Sequence, residues 1–502
     1  MEAILTAAQM SKADDATINY FRVPSEVLME RAALSVVDAI EREGYNTEEV
    51  LVVCGSGNNG GDGFAVARLL TEKEIFTRIL YTGKGDFSSL SPGARLQKEI
   101  CYKYEIPVLF SEDFDWDEDN STLIIDAMFG IGLNRPLNAD KAHIAERINE
   151  AREEGAYVVS VDIPSGIAAD TGKILGAAVR ADMTVTFGFK KLGQLLYPGS
   201  EYTGKLVCAQ IGITKRSFLN TKPEYTAIEP SDLPCVHRKD YSNKGTYGKL
   251  LIIAGSEGAG GCALLAARAA FGTGVGMVRV YTHSANRELI LNNCPETIVD
   301  TYSSEPSEEK LMKAAEWADV IAIGPGIGKD RSASGMLRLL LYRCEKPLVI
   351  DADAIMPLRE YEEYLSQNYT RDIIITPHIM EMARFMDIER SIVLDDIIHV
   401  AKNVSERLNL VCVLKDARTV ITRPSFGCRV NTSGNNGMAV AGMGDVLFGI
   451  IAGLLSQGMN AFDAASFGAF IHGYAADKAV IHTGKSGLLA RDVIGYLKEC
   501  FE

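Results

Sequence analysis

Two short segments of the chain place glycine beside carboxylate at a spacing that could do chemistry. Cys54–Phe64 reads CGSGNNGGDGF, and Asn435–Leu447 reads NNGMAVAGMGDVL. Five of the eleven residues in the first are glycine, so its backbone can approach a ligand closely. Asn58, Asn59, Gly60, Gly61 and Asp62 form its centre. A helix expected from Phe64 onward would aim free amides at the loop and favour an anion such as a phosphate. In the second segment Gly442-x-Gly444-Asp445 opens a long apolar helix. Amides there can cradle a transferring phosphoryl group while Asp445 takes the proton of an attacking hydroxyl. The competing role for Asp445 is a helix N-cap.

Further loops supply the rest of each constellation. Ile125–Pro136 reads IDAMFGIGLNRP and Val161–Gly166 reads VDIPSG. If these meet the first loop at one sheet edge, Asp62, Asp126, Asp162, Asn58, Asn59 and Ser165 come together. Such hard oxygen donors suit an alkali or alkaline-earth cation, although aspartates also cap turns and helices. Gly55-x-Gly57-x-x-Gly60 fits the dinucleotide fingerprint, but the next strand, TRILYT at Thr77–Thr82, lacks its acidic ribose ligand. No P-loop lysine follows the glycines either. An ordinary NAD dehydrogenase is therefore disfavoured. In the second half IGPGIG (Ile323–Gly328), IDADA (Ile350–Ala354) and LKDART (Leu414–Thr419) also sit after apolar runs. Lys415 is a candidate phosphate contact. His378, Glu381 and Arg384 fall at i, i+3 and i+6 of a helix that would begin in IITPHIMEMAR.

The elements that must position these loops repeat a theme of short β-branched run, glycine turn and helical pattern. The runs are Val50–Cys54, Leu123–Asp126, Val158–Asp162, Met183–Gly188 and Lys205–Gln210, then Lys249–Ala254, Met277–Thr282, Val320–Gly324, Pro347–Asp351, Asp372–Thr376, Leu410–Lys415 and Thr419–Thr422. Continuous apolar strands predict parallel sheets covered on both faces. Leu264–Phe271 and Ile392–Leu408 have helical spacing. The expectation is an α/β chain of two doubly wound domains. Ile213–Pro234 carries three of the sixteen prolines and reads as a linker, giving domains of about residues 1–220 and 230–502.

Composition narrows the partners. Asp plus Glu number 66 against 51 Lys plus Arg, a net charge of −15, which argues against binding nucleic acid or an anionic membrane. Small-molecule chemistry is the expectation. Ten cysteines stand singly without a C-x-x-C pair, several inside apolar runs, as buried thiols of a cytoplasmic protein would. The opening MEAILTAAQMSKADD lacks the basic and apolar regions of a secretory signal. Met438–Leu455 is long enough to span a membrane, but Asp445 and its glycines make it a buried helix instead.

Taken in order, GSGNNGGDGF, DAMFGIGLNRP and VDIPSG, with QMSKAD, VLMERA and TFGFKKLG, resemble the NAD(P)H-hydrate epimerase domain across roughly residues 1–215. That resemblance implies a Rossmann-like fold. It implies binding of the hydrated nucleotide by Asn58, Asn59, Gly60, Gly61, Asp62, Gly130, Ile131, Gly132, Leu133, Asn134, Arg135, Pro136 and Asp162. It further implies potassium (K+) coordination by Asn59, Asp126 and Ser165. Asp162 is the candidate acid/base, because a carboxylate enclosed in such a loop can have a raised pKa.

KGTYGKLLIIAGS, GPGIG, IDADA, TPH…EMAR, LK-x-A-x-T and GMGD resemble the ribokinase-like ADP- or ATP-dependent NAD(P)H-hydrate dehydratase domain over about residues 230–502. By that resemblance Cys262, Gly326, His378 and Asp445 contact the hydrate. Lys415, Asp416, Ala417, Arg418, Thr419 and Gly444 contact the adenine nucleotide, which would bring Mg2+. The chain departs from the family at His378-Ile-Met-Glu381, where Pro-Gly is usual, and at Asp416, Met443 and Cys262. The implied protein is a homo-oligomeric, two-activity enzyme of nicotinamide nucleotide repair, acting on hydrated NADH or NADPH. Two alternatives remain: a ribokinase-type small-molecule kinase with a regulatory nucleotide-binding domain, or an NAD-sensing scaffold without turnover.

Overall fold

The computed structural model describes residues 1–85, 87–233, 238–367 and 371–501. The chain separates into two compact units, Ala3–Tyr225 and Thr226–Glu502 with Met1–Glu2. Cys235 and Pro234 lie outside the described residues.

In the N-terminal unit the strands are β1 (Glu2–Leu5), β2 (Val50–Cys54), β3 (Thr77–Tyr81), β4 (Val108–Phe110), β5 (Leu123–Ala127), β6 (Tyr157–Val161), β7 (Met183–Phe187), β8 (Lys190–Lys191) and β9 (Lys205–Ala209). Seven form one sheet in the order β4-β3-β2-β5-β6-β7-β9, parallel throughout. Both faces are buried, as the continuous apolar runs require. Val50, Val52 and Cys54 enter one core with Ile79 and Ile125, while Leu51 and Val53 enter the other with Leu80 and Ile124. The chain winds outward in opposite directions from β2 and β5, so the crevice at their carboxyl ends is the topological switch point. Helix α1 (Ala7–Asp15) opens with a capping box at Thr6 and Gln9, and α2 (Ser25–Glu43) ends on Gly44 in the left-handed region. Helix α3 starts at Asn58 and runs to Glu72, six residues earlier than the pattern predicts. Tertiary packing overrides the poor helix propensity of its glycines. A Cβ at Gly60 would lie 1.9 Å from the Gly55 carbonyl oxygen, so glycine there permits the close turn.

Ile213–Pro234, expected as a linker, is structured over its described residues. It holds a 3-10 turn at Lys215–Phe218 and a strand, β10 (Tyr225–Ala227), and buries Ile213, Ser217, Tyr225, Ala227 and Ile228. Its apolar residues, scattered among prolines, find partners that periodicity does not reveal.

The C-terminal unit adds β11 (Lys249–Ile253), β12 (Met277–His283), β13 (Ile298–Tyr302), β14 (Val320–Ile323), β15 (Leu348–Ile350), β16 (Ile373–Ile375), β17 (Val411–Leu414), β18 (Val420–Arg423) and β19 (Gly427–Val430). They lie in the order β13-β12-β11-β14-β15-β16-β17-β18-β19. The first seven are parallel, with the switch point between β11 and β14. β18 and β19 run antiparallel to their neighbours. The connection from β17 to β18 is too short for a crossover, so only a hairpin can form. Ile392–Leu408, expected as one helix, breaks at Asp396, which caps Ile397–Leu408 by accepting a 3.0 Å bond from His399 N–H. The apolar helix Met443–Ser456 packs between Gly260–Gly272 and Ala461–Thr483. Its Gly449 approaches Ala266 so closely that a Cβ would sit 2.3 Å from that carbonyl oxygen. Among the described residues no helix is long and apolar enough to cross a membrane.

Candidate active sites at the two switch points

Gly55, directly after β2, has no room for a side chain: a Cβ would stand 1.9 Å from Met128 O on the loop after β5. That contact brings the two loops together over a cavity of about 880 Å³. Asn58, Asn59, Asp62, Gly130–Arg135 and Asp162 line it, facing Met10 and Asp14 of α1 and Leu28 and Met29 of α2. Gly60 and Gly61 are buried within the first turns of α3, and Pro136 is not among the lining residues. Helix α3 begins with no side-chain cap at Gly57, which leaves its first amides open to a ligand.

Asp126 and Ser165 sit behind the cavity wall. Asp126 is fully buried and accepts from Ser165 Oγ–H at 2.6 Å, Ser165 N–H at 2.8 Å, Ser160 Oγ–H at 2.9 Å and Met128 N–H at 3.3 Å. Ser165 Oγ in turn accepts from Phe129 N–H at 2.9 Å. One carboxylate thus ties the loop after β5 to the loop after β6. Burial raises its pKa, and the hydrogen bonds only partly offset this. The Asn59 side-chain amide nitrogen is buried without a hydrogen-bond partner. Among the described residues no group of three or more His, Cys, Asp or Glu side chains is placed to hold a metal. Any cation here would therefore rest on mixed oxygen donors, with Asp126 as the one carboxylate among neutral neighbours.

Asp162 follows β6 with a φ of 68°, a strained conformation for a residue with a side chain. Neighbours fix it on all sides: Asp162 N–H donates to Val185 O at 2.8 Å and Gln194 Nε2–H to Asp162 O at 2.6 Å. Its Oδ1 lies 2.5 Å from Nζ of Lys191, whose side chain is 1% exposed. Lys191 also donates to Thr186 Oγ1 at 2.7 Å and Phe187 O at 3.2 Å. Sequence reasoning expected a raised carboxyl at Asp162 and singled out no partner for it. The structure gives Asp162 a buried cation, and a raised carboxyl stands across the cavity lining at Asp62. Burial first, then the charges of Asp162 and Asp14, push Asp62 well above the usual carboxylate range, with Lys191 opposing. Asp14 is raised by burial and by Asp15 and Asp162. Lys191 gave no signal of its own, since beside Lys190 it reads as a surface residue.

The second site forms where the loops after β11 and β14 meet. Gly255 N–H donates to Pro325 O at 2.9 Å, and Cys262 Sγ lies 3.0 Å from Ala259 O and 3.1 Å from Pro325 O. Gly326, at φ 65°, faces that sulfur. Burial, then Asp445, pushes the Cys262 thiol up to about 12, so it is a space-filling group rather than a nucleophile. Asp445 lies in the first turn of Met443–Ser456, whose N-cap is Gly442 at φ 92°, so it is not the cap itself. Burial and the nearby Asp351 raise its carboxyl to about 6, against the pull of Lys415. Lys415, after β17, bonds Asp351 Oδ1 at 2.8 Å and keeps Nζ 3.6 Å from the position a Cβ would occupy on Gly444. Asp416–Thr419 form the tight turn beyond, closed by Thr419 Oγ1–H to Asp416 O at 3.2 Å.

His378 is the N-cap of Ile379–Met386. Its Nδ1 accepts from Met380 and Glu381 N–H, and Glu381 returns a bond to His378 N–H at 2.8 Å. The side chain is half exposed at the strand end beside Lys415. Two residues of this site were not singled out from sequence. Asp351 could have been, as the carboxylate ending a strand in IDADA. His472, buried with Nε2 unpartnered and held near a pKa of about 4 by burial and then Lys415, sits in a helix that reads as plain core.

Residues 250–499 match the family described as NAD(P)H-hydrate dehydratase, and residues 25–193 match the YjeF-related protein N-terminus. The bifunctional NAD(P)H-hydrate repair enzyme Nnr of Moorella thermoacetica is 35% identical over 98% of this chain and 96% of its own. The enzyme of that name from Escherichia coli is 35% identical over 89% of this chain and 84% of its own. Among solved structures, protein SMU.573 of Streptococcus mutans superposes with a TM-score of 0.50 at 26% identity, covering 55% of this chain and 100% of that one.

Proposed function

The chain belongs to the family of bifunctional NAD(P)H-hydrate repair enzymes, and from that premise we propose how its two sites divide the work. The protein epimerises the R and S forms of hydrated NAD(P)H and dehydrates the S form back to NAD(P)H at the expense of ADP or ATP. Each unit keeps its own carboxylate at its own switch-point crevice: Asp162 with Lys191 in one, Asp445 in the other. That separation is the observation supporting two activities.

In the N-terminal site the open amides of α3 and the Gly130–Pro136 loop hold the nucleotide, and Asp162 moves the proton of the carbinolamine hydroxyl. Asn59, Asp126 and Ser165 would hold K+, whose charge would balance the buried carboxylate. In the C-terminal site Asp445 takes the proton of the C6 hydroxyl as that oxygen accepts a phosphoryl group, which then departs as phosphate. The Gly444 amide and Lys415 stabilise the developing charge. Lys415 and the Asp416–Thr419 turn bind the adenine nucleotide, with Cys262, Gly326 and His378 around the hydrate. Mg2+ would arrive on the nucleotide phosphates, since that ion keeps much of its water and needs few protein ligands.

A mixture of both hydrate epimers, incubated with the protein and ADP or ATP, tests this reading through the reduced-nicotinamide absorbance. Complete recovery supports both activities, and recovery of only the S fraction supports dehydration alone. No recovery with either nucleotide refutes the assignment.

A further inference from the structure

The N-terminal cavity holds more acid than a single proton transfer needs. Asp14, Asp62 and Asp162 all border it, together with Asp15, Arg135 and Lys191. Asp162 is bound to the Lys191 ammonium, whose three donors are already directed at Asp162 Oδ1, Thr186 Oγ1 and Phe187 O. Asp62, in the second turn of α3, faces the same space with no such cation committed to it. Its charged neighbours are Asp14 from α1, and Asp162 with Lys191 from the far wall. Two carboxyl groups with unlike company, opening onto one cavity, are what separates an acid from a base.

We propose, resting on the epimerase reading above, that Asp62 is the general acid of this site and Asp162 its base. Asp162 removes the proton of the C6 hydroxyl as that oxygen becomes a carbonyl. The C6–N1 bond breaks, its electron pair goes to N1, and Asp62 supplies the proton that N1 takes. The aldehyde turns about C5–C6, N1 attacks its opposite face, and both protons return, so nothing is consumed. The environment of Asp62 agrees, since burial and two carboxylates favour its protonated form.

The test compares full-length protein with Asp62→Asn on separated hydrate epimers, from mildly acidic to strongly alkaline buffer and in water enriched in heavy oxygen. The variant is expected to lose about 10²–10⁴-fold in epimerisation kcat. Dehydration of the S epimer, which belongs to the other unit, should persist, and an unchanged thermal unfolding of the N-terminal unit shows that the variant folds. Wild-type epimerisation should fall as rising pH ionises Asp62, and whatever rate the variant keeps should lack that limb. Heavy oxygen should not enter C6 once per turnover. The acid role is overturned by a variant within about threefold of wild type that keeps the falling limb. It is equally overturned by a loss carried in the epimerisation KM with kcat unchanged, or by obligatory oxygen exchange, since C–O cleavage needs no acid at N1. Failure of the wild type itself to interconvert the epimers would instead refute the epimerase reading.

Discussion

Replacing Lys191 with methionine keeps the length of a fully buried side chain and removes only its ammonium. The consequence depends on what Asp162 does with its charge, because its side chain is 12% exposed and its cation is gone. Taking up a proton is the less costly escape. A carboxyl that titrates near 3.9 in the unfolded chain costs about 1.36 kcal/mol per pH unit to protonate, or about 4 kcal/mol at pH 7. That agrees with the roughly 3–5 kcal/mol found when one partner of a buried pair is removed. At pH 5 the same relation leaves only about 1.5 kcal/mol. The sign follows from linkage: the folded variant holds a proton that the unfolded chain releases, so the variant weakens as pH rises. Urea unfolding of the full chain, read by hydrogen exchange on peptides carrying β6 and β7, isolates this unit at both pH values. A destabilisation under about 1 kcal/mol, or one equal at the two pH values, would mean that Asp162 finds water instead of Lys191 and would refute the closed pair.

Four more outcomes are expected. Asp445→Asn should cut dehydration by about 10²–10⁴-fold while epimerisation continues, and wild-type dehydration should fall below about pH 6 as the Asp445 carboxyl protonates; parallel loss of both activities would show that the sites are not separate. Asp126→Ala leaves its buried donors, Ser165 N–H and Oγ–H among them, without their acceptor, so it should cost about 2–5 kcal/mol by chemical denaturation. Exchanging potassium for a large organic cation should lower epimerisation in wild type but not dehydration, as steady-state rates will show. Gly55→Ala, with its Cβ 1.9 Å from Met128 O, should unfold the N-terminal unit several degrees earlier in calorimetry, whereas Gly57→Ala, with open space around it, should change little.

The sequence made the sites legible where chemistry depends on chain order. Loops after apolar strands could be placed at carboxyl ends, and the glycines in them marked close backbone approach. What it hid depends on neighbours distant along the chain. Lys191 reads as one of two surface lysines until the fold buries it against a carboxylate 29 positions away. Asp62 and Asp162 look alike in sequence, and only their company distinguishes them. Helix α3 begins inside the glycines because packing outweighs propensity, and β13 and β19 are too weakly patterned to stand out from their flanks.

The contact of Gly55 with Met128 also bears on how this enzyme can be re-engineered. Since the two strand-end loops touch backbone to backbone, that floor leaves no space for even a methyl group, and diversity introduced there will mostly be lost to misfolding. Met10 and Met29, which line the cavity from α1 and α2, are pliable side chains that tolerate repacking. Libraries aimed at changing which dinucleotide enters should therefore be drawn from α1 and α2.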